Sequence, residues 1–409
     1  MRSTGKGARA GKDAGVGGAR AGGAARAGGA GTAGARMALA LALVVAVALV
    51  AAVAPATGCR RGAPSDAASP RGAPPGDTAP PGGAPDPGVP VSPGPAAPDG
   101  VTCPLDGVTA APVSLLRRPL AVAVDNHPGA RPQSGLEAAC LVYELPVEGG
   151  LTRFLAFFLH ADAAAVGPVR SARDYMLPLA QERAAVLCHA GGSPQAYAAL
   201  ARVNMPDLDD MFGGGAYWRI KARASPHNLY TSTFALQGKA LARGWGATAA
   251  LAPGGFAFSP PDATGGAAPG AANVAGAPAA HAWLRPGGAL GERVDWRYND
   301  DAGAYLRFSG GVPHCTALDG SQLLAKNVLI LYTDVTPVPG DREGRLNVRT
   351  AGEGRALLLN RGRMREGRWL KLTPAAPTTL VALEGDDLKL EPGATWVVLV
   401  ARNTIVEWE

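Results

Sequence analysis

Short apolar runs separated by turn residues recur through the middle of the chain. Four of them, between residues 119 and 192, have the length and composition of buried strands: PLAVAVDN, ACLVYELP, LTRFLAFFLH and AAVLCHAGG. Two segments beside them have helical composition and spacing: SARDYMLPLAQERA and SPQAYAALARV. Because strands alternate with helices, residues 118–259 are predicted to form an α/β (or α+β) N-terminal domain.

The pattern changes beyond about residue 281. Apolar or alternating pieces are separated there by Gly and Asp turns and lack a 3.6-residue period, as in WRYNDDAGAYLRF, NVLILYTD, RALLLNRGR and TWVVLVARNTIVEWE. Residues 281–409 are therefore predicted to form a mainly antiparallel β C-terminal domain. The Gly/Ala/Pro-rich run at 260–280 is predicted to be a low-complexity loop between the two domains.

The N-terminal segment has the pattern of an export signal. Residues 1–36 are mostly Gly, Ala and Arg, and residues 37–54 form an uncharged apolar run that leads into PATGC. This ending resembles a bacterial lipobox, although Ala56 stands where that motif prefers Leu. Residues 1–58 are predicted to be the signal and Cys59 the lipidated residue. An uncleaved membrane anchor and a misassigned start codon remain the alternatives.

The predicted mature chain begins with a tether and carries no net charge. Residues 59–105 are rich in Pro, Gly and Ala, a composition that cannot bury enough apolar surface to offset its ordering entropy. The formal charge of +6 comes from the export segment: 7 of 39 basic and 1 of 33 acidic residues precede Cys59, which leaves 32 of each. We therefore expect the extracytoplasmic face of the cell membrane as the location and no nucleic-acid partner.

The remaining cysteines and the histidines do not form a metal-binding motif. Cys103, Cys140, Cys188 and Cys315 show no CxxC spacing, and the histidines never occur as HxH or HExxH. An exported protein can form disulfides, but Cys140 and Cys188 lie in apolar runs, where buried free thiols are the simpler interpretation. The sequence predicts no metal and no cofactor.

Several blocks of the chain resemble, in order, the YerB-like family of bacterial lipoproteins. They include VAVDNHPGARPQSGLEAACLVYELPVEGGLTRFLAFF, GPVRSARDY, HAGGSPQAY, ASPHNLYTS, YNDDAGAYLRF, VPH and GRWLKL, and they extend over about residues 118–405. The family's usual Asp two places after the histidine of VPH is Thr316 here. The resemblance implies an exported, two-domain lipoprotein, and it implies no reaction because the family's activity is unassigned.

Two turns in these blocks suggest helix N-termini. In GPVRSARDY, Ser171 and Asp174 have the spacing of a capping box, which leaves Arg170 and Arg173 free for another role. In HAGGSPQAY, Ser193 can cap a helix that begins at Pro194. Exposed N–H groups at such turns favour anions. The second turn lacks the GxSxG pattern of a nucleophilic serine.

We expect the polar residues at the ends of these strands to form one rim, because ligands in α/β domains collect at the carboxyl ends of strands. Asp125 is the candidate catalytic base. The candidate ligand-binding residues are Asn126, His127, Arg131, Arg170, Arg173, His189, Ser193 and His227. Hydrogen bonding within turns is the alternative for His127 and His189, and a rigid turn is the alternative for the ASPHNLYTS loop.

Paired arginines suit a phosphorylated ligand, such as a phosphorylated glycan or a prenyl phosphate of the envelope. The order of VDN, an arginine block and a Gly-Gly turn is also similar in layout to the LytR-CpsA-Psr glycopolymer transferases. Three hypotheses follow: a binding module for an anionic envelope ligand, a phosphotransferase or hydrolase that uses the same arginines, and a scaffold. A scaffold would show a large apolar patch and no concave polar site.

Overall fold

The computed structural model describes residues 100–213, 215–246, 255–260, 276–383 and 385–409. The predicted export signal, Cys59, most of the predicted tether and residues 261–275 of the predicted loop lie outside the described residues.

The described chain is mainly β-structure with short helices. The strands of the first half are β1 (Val101–Thr102), β2 (Thr109–Ala110), β3 (Leu120–Asp125), β4 (Leu141–Pro146), β5 (Thr152–Phe158), β6 (Val186–His189), β7 (Asp207–Asp209), β8 (Tyr217–Arg219) and β9 (Leu229–Thr231). Those of the second half are β10 (Ala277–Pro278), β11 (His281–Leu284), β12 (Val294–Asn299), β13 (Ala304–Ser309), β14 (Val312–Pro313), β15 (Leu324–Ala325), β16 (Asn327–Thr333), β17 (Val335–Pro337), β18 (Leu346–Val348), β19 (Gly352–Asn360), β20 (Arg363–Lys371), β21 (Thr379–Ala382), β22 (Thr395–Ala401) and β23 (Val406–Trp408). The helices are α1 (Met176–Gln181), α2 (Pro194–Leu200), α3 (Asp210–Gly213) and α4 (Thr233–Ala242), with short 3-10 turns at Pro112–Leu115, Pro128–Ala130, Leu136–Ala138 and Glu148–Gly150.

One large mixed sheet contains strands from both halves of the described chain. Its order is β10-β20-β19-β16-β22-β4-β5-β3-β6-β7, and β21 also pairs with β20. Strand β22 lies parallel to β4, with Thr395 opposite Leu141, and this pairing joins the two halves. The ranges predicted as separate domains therefore contribute strands to the same sheet.

The N-terminal half confirms the predicted α/β character only in part. Strand β5 is antiparallel to β3 and β4, whereas β3, β6 and β7 are parallel, so the sheet is mixed and its helices are short. The segment predicted to be helical from Ser171 is extended at first, because Ala172 bridges to Gly192. Helix α1 begins only at Met176.

The two predicted helix caps have opposite outcomes. The prediction of a capping box at Ser171 and Asp174 is wrong. The N-cap residue of α1 is Tyr175, and its side chain makes no capping hydrogen bond within the described residues. The cap at Ser193 is confirmed: its hydroxyl accepts a 3.1 Å hydrogen bond from the Ala196 N–H, and Pro194 occupies the first helical position.

The C-terminal half is mainly antiparallel β, as predicted. A second sheet has the order β14-β13-β12-β11-β23, with β15 also paired to β13. Among the described strands of this half, β22 departs from antiparallel pairing, because it lies parallel to both β16 and β4 in the large sheet. The second sheet packs on the first through Trp296 and Trp396, whose ring centroids are 5.4 Å apart.

The large sheet buries both of its faces, which explains the continuous apolar runs in the sequence. In β3, Val122 and Val124 pack into one hydrophobic core, whereas Ala121 and Ala123 pack into another on the opposite face. Successive side chains of a strand point to opposite faces, so a strand buried on both sides contains few polar positions. The polar residues of β3 are therefore confined to its end, at Asp125.

Candidate functional site

Asp125, at the end of β3, is the centre of a polar cluster that also contains His127, Arg170 and His227. Its Oδ2 lies 2.7 Å from His227 Nδ1 and 3.1 Å from Arg170 Nε, and its Oδ1 accepts a 3.0 Å hydrogen bond from the His127 N–H. Asp125 is only 3% exposed, whereas the His227 and Arg170 side chains keep 19% and 27% of their surface accessible. The carboxylate thus lies below two cationic or hydrogen-bonding groups that reach the surface.

The two histidines of this Asp125 cluster lie against each other. Their rings are stacked with centroids 4.6 Å apart and an interplanar angle of 15°. His127 Nδ1 accepts a 3.0 Å hydrogen bond from the Gly129 N–H, so the predicted turn hydrogen bond of His127 exists alongside its place in the cluster. The Asp125 carboxylate holds a proton on Nδ1 of His227, which directs Nε2 away from the carboxylate.

Backbone pairing brings the parts of the cluster together from distant positions in the chain. The Arg170 N–H donates to the Ala123 carbonyl at 2.9 Å, and the Asp125 N–H donates to the Pro168 carbonyl at 2.8 Å. These bonds fix the segment before Ser171 beside β3. His227 follows on the loop between β8 and β9, which is held near because the Val169 N–H donates to the Leu229 carbonyl at 2.7 Å.

Two further arginines lie next to the cluster. Arg153 is opposite Asp125 on β5, and its Nη1 donates a 2.7 Å hydrogen bond to the Ser171 carbonyl. Burial, followed by the nearby charge of Arg173, lowers the pKa of Arg153 to about 10. Arg173 itself binds Glu148 bidentately, at 2.8 and 2.9 Å. Its guanidinium is therefore engaged in an ion pair.

The remaining predicted site residues lie in other networks. Asn126 donates a 2.7 Å hydrogen bond to Thr152 Oγ1 and accepts one of 3.1 Å from Arg131 Nε, and Arg131 also forms an ion pair with Glu292. These contacts connect the end of β3 to the C-terminal half. They place Asn126 and Arg131 in a group separate from the Asp125 cluster.

His189 and Ser193 maintain the Gly-Gly turn that follows β6. His189 is fully buried and its Nδ1 lies 2.8 Å from the Gly191 carbonyl oxygen, which matches the turn alternative for this residue. Gly191 has φ of +70°, in the left-handed region that favours glycine. Its N–H donates to Asp209 Oδ1 at 2.7 Å, and Tyr197 donates to the other oxygen of that carboxylate at 2.8 Å.

A buried polar chain that the sequence did not suggest connects Asp125 to the second sheet. Gln133 donates to the Asp125 carbonyl at 2.9 Å and contacts His314 at 2.7 Å, and Arg307 Nε donates to the other nitrogen of His314 at 3.1 Å. His314 belongs to the VPH block. The Thr316 hydroxyl, two residues after His314, donates a 2.7 Å hydrogen bond to Glu137.

Comparison with known proteins assigns the chain to a class. Residues 105–246 match the family described as "Protein of unknown function (DUF3048) N-terminal domain", and residues 289–397 match its "C-terminal domain". The chain therefore belongs to the DUF3048 family. It is 32% identical over 304 residues to "Putative lipoprotein YerB" of Bacillus subtilis (strain 168), across 73% of this chain and 85% of that protein.

A solved structure supports the same relationship. The crystal structure of the YerB protein from Bacillus subtilis matches with a TM-score of 0.64 at 28% identity, and the match covers 75% of this chain and 99% of that one. The YerB-like resemblance predicted from the sequence blocks is thus confirmed. Among the residues that the structure describes, none of the helices has both the length and the apolar character to cross a membrane.

Proposed function

We propose that this protein is a lipid-anchored, extracytoplasmic member of its family that binds a phosphorylated ligand of the cell envelope at the Asp125 cluster. The observation that carries the proposal is the convergence of Arg170 and His227 on one buried carboxylate while both side chains remain partly exposed. A phosphate group that accepts from both side chains would form charge-assisted hydrogen bonds.

The arginines around the cluster support an anion. Three of them, Arg153, Arg170 and Arg173, are close to one another, beside the carboxylates of Asp125, Glu148 and Asp174. Glu148 binds Arg173 bidentately, whereas the Arg170 side chain keeps 27% of its surface accessible to an approaching anion. Among the described residues, the buried Nε atoms of Arg153 and Arg170 have no hydrogen-bond partner; the 3.1 Å ion pair of Arg170 is close but not aligned as a hydrogen bond.

The proposal is tested by titrating the full-length protein in detergent with farnesyl phosphate, using farnesol as the uncharged control. Arg170→Gln is expected to weaken farnesyl phosphate binding about 10- to 100-fold, because a hydrogen bond to a charged group contributes about 1.5–3 kcal/mol. Arg219→Gln is the matched control, since Arg219 is exposed and bonds Asn228 on the same loop as His227. Equal binding of farnesol, or an unchanged affinity in Arg170→Gln, would refute the site.

A phosphotransferase or hydrolase is the second candidate, and the Asp125–His227 pair is the observation that favours it. A carboxylate that orients Nδ1 of a histidine leaves Nε2 available for proton transfer. Both oxygens of Asp125 are already engaged, so the partly exposed His227 is better placed than Asp125 to meet a substrate. Release of inorganic phosphate in the same farnesyl phosphate mixtures, lost in His227→Gln, would favour the enzyme over the binding module.

The anchor is tested separately. Metabolic labelling with a fatty-acid precursor is expected to mark the wild-type protein and Cys188→Ala but not Cys59→Ala, because lipidation at the PATGC motif requires that cysteine. Cys188 is a suitable control because it is buried within β6. Labelling that persists in Cys59→Ala would rule out Cys59 as the anchor.

A further inference from the structure

Four residues from three distant parts of the chain meet beside the ends of β4 and β5. Cys103 and Asp106 lie on the loop between β1 and β2, Cys140 directly precedes β4, and His160 closely follows β5. One potential ligand atom from each, two sulfurs, a carboxylate oxygen and an imidazole nitrogen, lies within 4.8 Å of every other. The group is distinct from the Asp125 cluster and from the proposed ligand.

Hydrogen bonds fix the backbone around these side chains. The Cys103 N–H donates to the Val108 carbonyl at 2.8 Å, and the Cys140 N–H donates to the Phe157 carbonyl at 2.9 Å. Asp106 Oδ2 lies 2.7 Å from His160 Nε2, which keeps the carboxylate and the imidazole together. The ligand atoms are therefore positioned by ordered turns and strand ends.

We propose that Cys103, Asp106, Cys140 and His160 form a structural site for a divalent cation of the zinc type. Two thiolates, one imidazole and one carboxylate are a donor set that Zn²⁺ accepts with tetrahedral geometry. Bond lengths of about 2.0–2.3 Å place tetrahedral ligand atoms roughly 3.3–3.8 Å apart. The atoms of the cluster all lie within 4.8 Å and the Asp106–His160 pair is 2.7 Å apart, so a metal would draw the wider pairs together and separate the carboxylate and imidazole slightly.

A metal ion would bind all four side chains of the cluster, whereas a disulfide would involve only the two cysteines. A bond between the two sulfurs would leave the Asp106–His160 pair as a separate contact beside them. A dication binds all four groups and offsets two of the three negative charges of two thiolates and one carboxylate. Three of the four residues are buried and His160 is half-buried, which is typical of a closed, structural site.

The position of the site gives it a mechanical role. Cys103 lies within the predicted tether, and Asp106 lies just beyond its end. The metal would fasten this entry point of the folded region to the ends of two central strands of the large sheet, because Cys140 and His160 flank β4 and β5. Force transmitted through the anchor would then act on strands that are buried on both faces.

The test uses the full-length protein in detergent, purified without chelators. Elemental analysis is expected to find about one zinc per chain in the wild type and in Cys188→Ser, and much less in Cys140→Ser. Cys188 is the matched control because it is also a buried free cysteine but lies outside the cluster. Retention of the zinc in Cys140→Ser would overturn the proposal.

A second measurement begins with the wild type alone, so its first result does not depend on whether a variant folds. The wild type, stripped with chelator under reducing conditions, is titrated with Co²⁺, and thiolate-to-cobalt charge-transfer absorbance is expected to saturate at about one equivalent. Removing a group that hydrogen-bonds to a metal ligand costs about 10- to 100-fold in metal affinity. His160→Gln removes a ligand itself, so it should weaken Co²⁺ binding at least about 100-fold. A Cys103–Cys140 disulfide in the purified protein, or no thiolate absorbance with Co²⁺, would refute the site.

Discussion

Replacing Arg307 with methionine is expected to lower the free energy of unfolding by about 3–5 kcal/mol, the usual cost of leaving a buried charge without its partner. Arg307 on β13 and Glu144 on β4 are both fully buried, with Nη2 and Oε2 3.0 Å apart. The guanidinium also lies over the rings of Phe154, Trp296 and Trp396, at 5.4, 5.1 and 4.8 Å. Without it, Glu144 would remain as an uncompensated carboxylate in the core.

Urea denaturation of Arg307→Met, Glu144→Gln, the double variant and one control separates this effect from lost packing. Arg307→Met combined with Glu144→Gln is expected to recover much of the lost stability, since replacing both members of a buried pair is often nearly neutral. The control is Arg297→Met on β12, an exposed arginine that stacks on Phe308 at 4.2 Å and should cost no more than about 1 kcal/mol. Strictly additive losses in the double variant would show that Arg307 and Glu144 stabilise the fold independently.

This ion pair illustrates why part of the fold could not be predicted from the sequence. Glu144 and Arg307 lie in separate predicted domains, and no local pattern couples them. Local signals did succeed: the apolar runs of β3 to β6 are strands, and the cap at Ser193 needs only four consecutive residues. The parallel pairing of β22 with β4 depends on long-range contacts, which periodicity does not record.

The two arginines of GPVRSARDY show the same limit at the candidate site. The sequence indicated that neither was needed for capping, and it treated them as equivalent donors. Arg173 is bound by Glu148 from a neighbouring 3-10 turn, whereas Arg170 reaches Asp125 and stays partly exposed. The difference arises because the chain around Ala172 is extended and places successive side chains on alternate sides. The predicted helix start at Ser171 did not anticipate this, since α1 begins only at Met176.

The residues of the predicted rim lie in more than one place in the structure. His127, Arg170 and His227 do meet at Asp125, since the antiparallel bridge between Val124 and Val169 and the loop after β8 bring them together. His189 instead faces the Gly-Gly turn. The cysteine cluster went unrecognised because Cys103 and His160 are far apart in sequence and join through strand ends, so no short spacing marks them.

Replacing Lys371 with methionine is expected to have the second large effect on stability, about 3 kcal/mol at pH 7. Lys371 on β20 is buried and pairs with Glu182, which directly follows α1 and is also buried. Glu182 accepts further hydrogen bonds from Tyr143 at 2.9 Å and Thr378 at 2.8 Å. Arg183, 3.4 Å from the same carboxylate, is kept in the variant, so the loss should fall at the lower end of the range for buried pairs.

The pH dependence of this loss follows from the direction of the shift at Glu182. Burial opposes the ionised carboxylate, but the charges of Arg183 and Lys371 outweigh it and lower the pKa of Glu182 below its usual value. A carboxyl with a lowered folded pKa stabilises the protein above its unfolded pKa of about 4.3 and loses that contribution as the pH falls through the folded value.

The difference in free energy of unfolding between wild type and Lys371→Met should therefore be largest near pH 7 and shrink below about pH 4. Urea titrations across this range measure it, with the exposed Lys389→Met as the control. A difference that stays constant down to acid pH would mean that Lys371 contributes through the packing of its methylene chain rather than through the charge of Glu182.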